Sequence, residues 1–81
     1  MYFIMKIFGY SNNTGAEILE LCEATFMASP AQLREIASFL IRCAEGMESQ
    51  GNAWNHEHFA SSDQEIVRNG PEIVVFNPEG E

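Results

Sequence analysis

The sequence predicts an α+β domain: one long helix packed on a small, mostly antiparallel sheet of three or four strands, in the order strand, strand, helix, optional strand, strand. Three observations predict it. Residues 29–51, "SPAQLREIASFLIRCAEGMESQG", carry start and stop signals for a single helix. The runs "YFIMKIFG" and "EIVVFN" near the two ends are short, β-branched and aromatic. Clusters of Gly, Asn, Ser and Pro separate these runs from their neighbours. At 81 residues the chain is one domain, 1–81, with a modest core.

Residues 2–9 alternate two faces, Phe3, Met5, Ile7 and Gly9 against Tyr2, Ile4, Lys6 and Phe8. The first strand is expected there with its odd face inward. "YSNNTG" is turn chemistry. The stretch Ala16 to Met27 follows, "AEILELCEATFM". Its Glu, Leu and Ala favour a helix. The preceding turn and the Thr25–Phe26 pair favour the return strand of a hairpin, which is preferred.

In the helix, Ser29 is the N-cap, Pro30 takes the first position, and Gln32 completes a capping box. Gly51 closes it with a left-handed residue. Leu33, Ile36, Ala37, Leu40, Ala44 and Met47 form the expected core stripe, with Phe39 and Ile41 on its shoulders. Arg34, Glu35, Ser38, Arg42, Glu45 and Ser49 should face water. So wide a stripe exceeds what a small sheet covers, and a second copy or a partner would cover the rest. After the helix come a short strand or irregular segment around "WNHEHF", a polar loop with one helical turn near Asp63 to Arg68, the turn "NGP", and a last strand over residues 72–77.

Four basic residues, Lys6, Arg34, Arg42 and Arg68, stand against twelve acidic ones, for a net charge of −8. That balance disfavours nucleic acid and anionic membranes, which need a cationic footprint. It favours a basic protein partner and would speed its association. No apolar run approaches the ~20 residues of a membrane span. "MYFIMKIFGY" does not read as a secretory signal. Cys22 and Cys43 are expected to be ordinary buried thiols rather than a disulfide framework, so a cytoplasmic location with reduced cysteines is expected.

His56 and His58 share one side if residues 56–58 are extended, and both rings then converge on one ion. In a helix they would diverge by about 200°. A structural zinc needs four ligands. The remaining candidates are Glu57, Asp63, Glu65 and the two cysteines; Glu57 would point to the opposite face, and Cys22 and Cys43 have no close metal-type spacing. The preferred reading is structural: half-buried imidazoles bonded to carbonyls or to an acid such as Glu57 or Asp63. No cofactor is expected. No Gly-rich phosphate loop, H-E-x-x-H or G-x-S-x-G is present, so catalysis is not expected.

"ASPAQLREIASFL", then "AEGM", a Gly, "HEHF" and a final "EIVVFNP" follow one another across residues 28–78, within a likeness that covers roughly residues 16–78. In this order of features the chain resembles the Immunity protein 32 family, with the His-x-His after the helix as the most distinctive part. The resemblance implies a small cytoplasmic protein of a bacterial polymorphic toxin system that binds and neutralises a toxin. An acidic chain without a catalytic constellation suits a basic target such as a nuclease. Glu45, Glu48, Glu57, Asp63 and Glu65 are the expected contacts, with Trp54 as apolar anchor. Two other readings stand beside it: a metal site at His56 and His58, and a subunit that pairs with a second copy through the wide helix face or an open strand edge.

Overall fold

The computed structural model describes residues 4–11, 17–62 and 70–80. The elements are β1 (Ile7–Gly9), β2 (Leu19–Leu21), α1 (Pro30–Gln50), a 3-10 turn at Gly51–Ala53, β3 (His56–His58), a second 3-10 turn at Phe59–Ser62, and β4 (Val74–Phe76). The class is α+β, as expected. The strands, however, form two separate antiparallel pairs, β1–β2 and β3–β4, instead of one sheet. Ile7, Phe8 and Gly9 sit opposite Leu21, Glu20 and Leu19. His56, Glu57 and His58 sit opposite Phe76, Val75 and Val74. The helical turn expected near Asp63 to Arg68 lies outside the described residues. Among the described residues, no helix is long and apolar enough to cross a membrane.

Helix α1 begins where its caps place it. Ser29 Oγ accepts from the Gln32 N–H at 3.2 Å, and the Gln32 side-chain oxygen accepts from the Ser29 N–H at 2.9 Å. Two backbone donors at the helix start are thereby satisfied. Gly51 ends the helix at φ +58°, a backbone region that costs a residue bearing a Cβ, and its N–H donates to the Met47 carbonyl.

The chain then reverses and runs back along the helix. Trp54 packs over Gly46, and Phe59 reaches Phe39 with ring centroids 4.9 Å apart and tilted at 40°. Asn77 secures the reversal. Its side-chain amide donates to the Trp54 carbonyl at 2.8 Å and to the Gly51 carbonyl at 3.2 Å, and its N–H donates to the Asn55 carbonyl at 2.9 Å. The Phe59 N–H donates to the Ile73 carbonyl at 2.8 Å, which ties the other end of β3 to the segment entering β4.

Among the described residues the core is small and lies on this side. Ile36, Phe39, Cys43 and Phe59 are buried, and Trp54, Ile73 and Val75 pack against them. The expected stripe needs correction. Ile36 is buried and Met47 half-buried, but Leu33, Ala37, Leu40 and Ala44 are exposed. Phe39, placed on a shoulder by sequence, is the centre, 1% exposed. The reason is competition between two apolar sectors of one helix. The returning chain is tethered at Gly51 and covers only one sector. Covering the one with Phe39 removes the largest apolar side chain from water. Arg34, Ser38, Arg42, Glu45 and Ser49 face solvent as expected, while Glu35 is half-buried.

Nothing from residues 4–11 or 17–29 is buried. The inward odd face expected for the first strand holds only for Ile7 and Gly9, which are half-buried; Met5 is 81% exposed. Cys22, expected to be buried, is exposed just after β2.

Phe39→Ala is expected to cost about 3–5 kcal/mol, enough to leave a chain with so few buried side chains largely unfolded, read by urea denaturation. Gly46 has a different role. A Cβ there would stand 2.5 Å from Trp54 Nε1. Gly46→Ala should therefore destabilise the fold although alanine is the better helix former, with a red shift of Trp54 fluorescence as the ring is displaced.

Candidate functional site

The two faces of β3–β4 differ in chemistry because side chains alternate along each strand. Val75 faces the helix, and Glu57, its register partner, shares that side. His56, His58, Val74 and Phe76 therefore share the outer face, where all four are exposed. This is the same-side placement expected of the two histidines, but as an exposed patch and not as half-buried pins.

The patch is ordered by contacts among its own members. The His56 ring stacks on Phe76 with centroids 4.8 Å apart and planes at 19°. His58 meets His56 edge to face at 5.3 Å. His56 Nδ1 lies 2.7 Å from Asn55 Oδ1. His58 Nδ1 lies 3.6 Å from Glu72 Oε2. The other oxygen of Glu72 accepts from the backbone N–H groups of Ala60 and Ile73, each at 2.9 Å. Two backbone donors thus fix the carboxylate that faces His58, and the pair gains an ionic component when the imidazole is protonated. The acidic neighbour of His58 is Glu72, not Glu57, which the strand alternation sends to the other side; Asp63 lies outside the described residues.

Sequence reasoning missed Phe76, Glu72 and Asn55. Alternation places Phe76 two residues from Val74 on one face, which was legible. The partner strand of that face was not, because no local rule pairs "HEH" with "VVF" across the intervening loop. Of the expected contact residues, Glu45, Glu48 and Glu57 are exposed carboxylates. Asp63 and Glu65 lie outside the described residues. Trp54 is half-buried, its ring against Gly46, which makes it part of the core lid rather than a projecting anchor. Phe76, 65% exposed, is the projecting ring.

As a metal centre the patch has two imidazoles on one face. Among the described residues, no group of three or more His, Cys, Asp or Glu side chains is placed to hold an ion. Two ligands fall short of the four that a structural zinc takes. Among the described residues a small-molecule site is equally poorly served. The groove lined by Phe26, Ile36, Phe59 and Ile73 has a volume of about 130 Å³, well below the ~300–1,000 Å³ of ordinary ligand pockets.

Cys43 is the one buried nucleophile among the described residues. Burial pushes its thiol up, the nearby Glu57 carboxylate adds to this, and Arg42 opposes it. Such a thiol is a packing group, not a nucleophile at neutral pH.

Comparison of the chain with family models, with curated proteins and with solved structures found no match to any of them.

A raised folded-state value means that stability is full below the ordinary thiol pKa, about 8.5, and is lost as pH rises through the folded value. Cys43→Ala should flatten that alkaline limb in denaturation curves measured above about pH 8.5. In the native protein, iodoacetamide should label Cys22 within minutes and Cys43 only after denaturant is added, as peptide mass spectrometry would register.

Proposed function

We propose that this chain is a small binding protein that neutralises a basic protein partner by covering part of its surface, as an immunity protein covers its toxin. One observation carries the reading. The outer face of β3–β4 presents an organised, solvent-exposed cluster of Phe76, His56, His58 and Val74 on a chain of net charge −8. An exposed ring held in place by its neighbours loses little conformational freedom on binding, which is what a contact hot spot requires. The carboxylates Glu45, Glu48, Glu57 and Glu72 are exposed as well. Asp63 and Glu65 belong to the same proposed contact set by sequence. Their charge would steer a cationic partner and deter nucleic acid or an anionic membrane.

The mode of action is occlusion: the partner's function stops because its own surface is covered, and no bond is made or broken by this chain. No cofactor enters the reading. A polymorphic toxin that acts inside the cell would be met in the cytoplasm, where the thiols of Cys22 and Cys43 would stay reduced.

The test is co-expression with the toxic domain encoded beside this gene. Growth should be restored by the wild-type chain and lost with Phe76→Ala, whose Kd should rise by about 30-fold for a hot-spot side chain worth ~2 kcal/mol. The association rate should fall steeply between low and high salt. Absence of any basic toxic product beside the gene, or unchanged toxicity on co-expression, would refute the reading.

A further inference from the structure

Helix α1 carries two seams, and only one is used within the chain. Ile36, Phe39 and Cys43 continue through Gly46 to Gln50 at alternating spacings of three and four, and this row meets Phe59 and the β3–β4 side. Leu33, Ala37, Leu40, Ala44 and Met47 repeat at spacings of four, three, four and three. That is an a/d heptad pattern, about 100° around the helix from the first row. Leu33 and Leu40 are 43% and 44% exposed, Ala37 and Ala44 are exposed, and Met47 is half-buried. Ile41 beside them is 58% exposed.

We infer that this second seam is covered by the same seam of a second copy of the chain, with the two helices antiparallel about a two-fold axis that passes beside Ile41. Alternating leucine and alanine along the row suits two helices in close approach, because each Leu finds the gap over an Ala of the facing helix. Placing Leu40 against the partner's Ala44 brings Ala37 against the partner's Met47, and the reverse contacts follow from symmetry.

The flanking charges select the orientation. Arg34, Ile41 and Glu48 form one edge of the seam at intervals of seven, and all three are exposed. An antiparallel pair sets Arg34 against the partner's Glu48 twice and Ile41 against its own mate. A parallel pair would instead set this edge against the partner's row of Ile36, Cys43 and Gln50, of which Ile36 and Cys43 are already covered by the returning chain. Among the described residues Arg34 makes no ion pair within its own chain, where His58–Glu72 is the pair present.

The isolated chain exposes 6728 Å², against ~4,900 Å² for a typical monomer of 9.1 kDa, an excess that the seam shares with the exposed apolar side chains before the helix. Long-range repulsion between two chains of charge −8 is screened at physiological salt and acts against the pair most at low ionic strength. The basic partner proposed above would sit on the β3–β4 face, a different surface; Glu48 is the one residue named for both, and in the dimer it faces Arg34 of the second copy.

Sedimentation equilibrium on the purified full chain, with no other protein present, tests it. A dimer is expected at micromolar concentration, with association strengthening as salt rises from very low values. Leu40→Asp should give a monomer of unchanged helicity by circular dichroism. Arg34→Glu sets like charges at two symmetric contacts and should weaken the dimer about tenfold. The double variant Arg34→Glu with Glu48→Arg should regain the wild-type association, a rescue that a purely structural role for either side chain would not produce. A monomeric wild-type chain at ~100 µM, a concentration that saturates dimers of micromolar Kd, overturns the inference. A dimer that survives Leu40→Asp, or a double variant that stays as weak as Arg34→Glu, overturns it also.

Discussion

Phe39 and Phe59 meet as tilted rings 4.9 Å apart, and most of what is fixed in this chain is fixed relative to that contact. Among the described residues Phe39 is the side chain most completely removed from water, and Phe59 is nearly so. One belongs to the middle of the helix and the other to the segment that has doubled back from its end. For them to meet, the chain must turn sharply after Gln50. Gly51 supplies the positive φ, Gly46 leaves space for the Trp54 ring, and Asn77 holds the carbonyls of the turn from the far strand. With this contact in place β3 lies beside the helix, β4 pairs with β3, and the outer face of the pair is set. The histidine and phenylalanine patch is thus a consequence of a packing event on the opposite side of a two-stranded ribbon.

That ribbon is thin, and its stability and its display are tightly connected. A two-stranded sheet is marginal alone, so β3–β4 depends on Val75 and Ile73 packing toward the helix. The outer side chains are then held by each other: His56 on Phe76, His58 against His56, and Glu72 anchored by two backbone N–H groups. Such an arrangement exposes aromatic surface while restricting its motion, which suits recognition by surface complementarity. The buried thiol of Cys43 lies behind this ribbon among apolar side chains, raised in pKa by burial and by Glu57, and contributes packing rather than chemistry.

The N-terminal hairpin stands apart from this economy. No described residue before the helix is buried, and Ile4, Met5, Phe8, Tyr10, Ile18, Phe26 and Met27 are each more than half exposed. Together with the bare Leu and Ala row of the helix, the chain carries far more apolar surface than its own core uses. Exposed apolar surface of this extent marks interaction sites in soluble domains. The charge of −8 offsets the resulting tendency to aggregate without covering any of it. A chain of this size reaches a complete core most readily in company.

By itself the sequence determined the helix and its ends, because caps, N-terminal proline and closing glycine act over three or four residues. It also indicated the strands that contain Ile7–Gly9, Leu19–Leu21 and Val74–Phe76, over longer runs than form them, because side-chain alternation and turn residues are local; His56–His58 it left between strand and irregular segment. It placed His56 and His58 on one side on the condition that residues 56–58 are extended, and the pairing of β3 with β4 meets that condition. Only the tertiary structure decided which apolar sector of the helix is buried. Both Leu33–Leu40 and Ile36–Phe39 satisfy helical periodicity, and the choice rests on where the chain returns after Gly51. Strand partnership was decided in the same way: β4 joins β3 and leaves β1 and β2 as a separate pair, since pairing depends on long-range contacts that no window of residues contains. Glu72 beside His58 and Phe76 under His56 follow from that pairing, and their roles became visible only once the register was known.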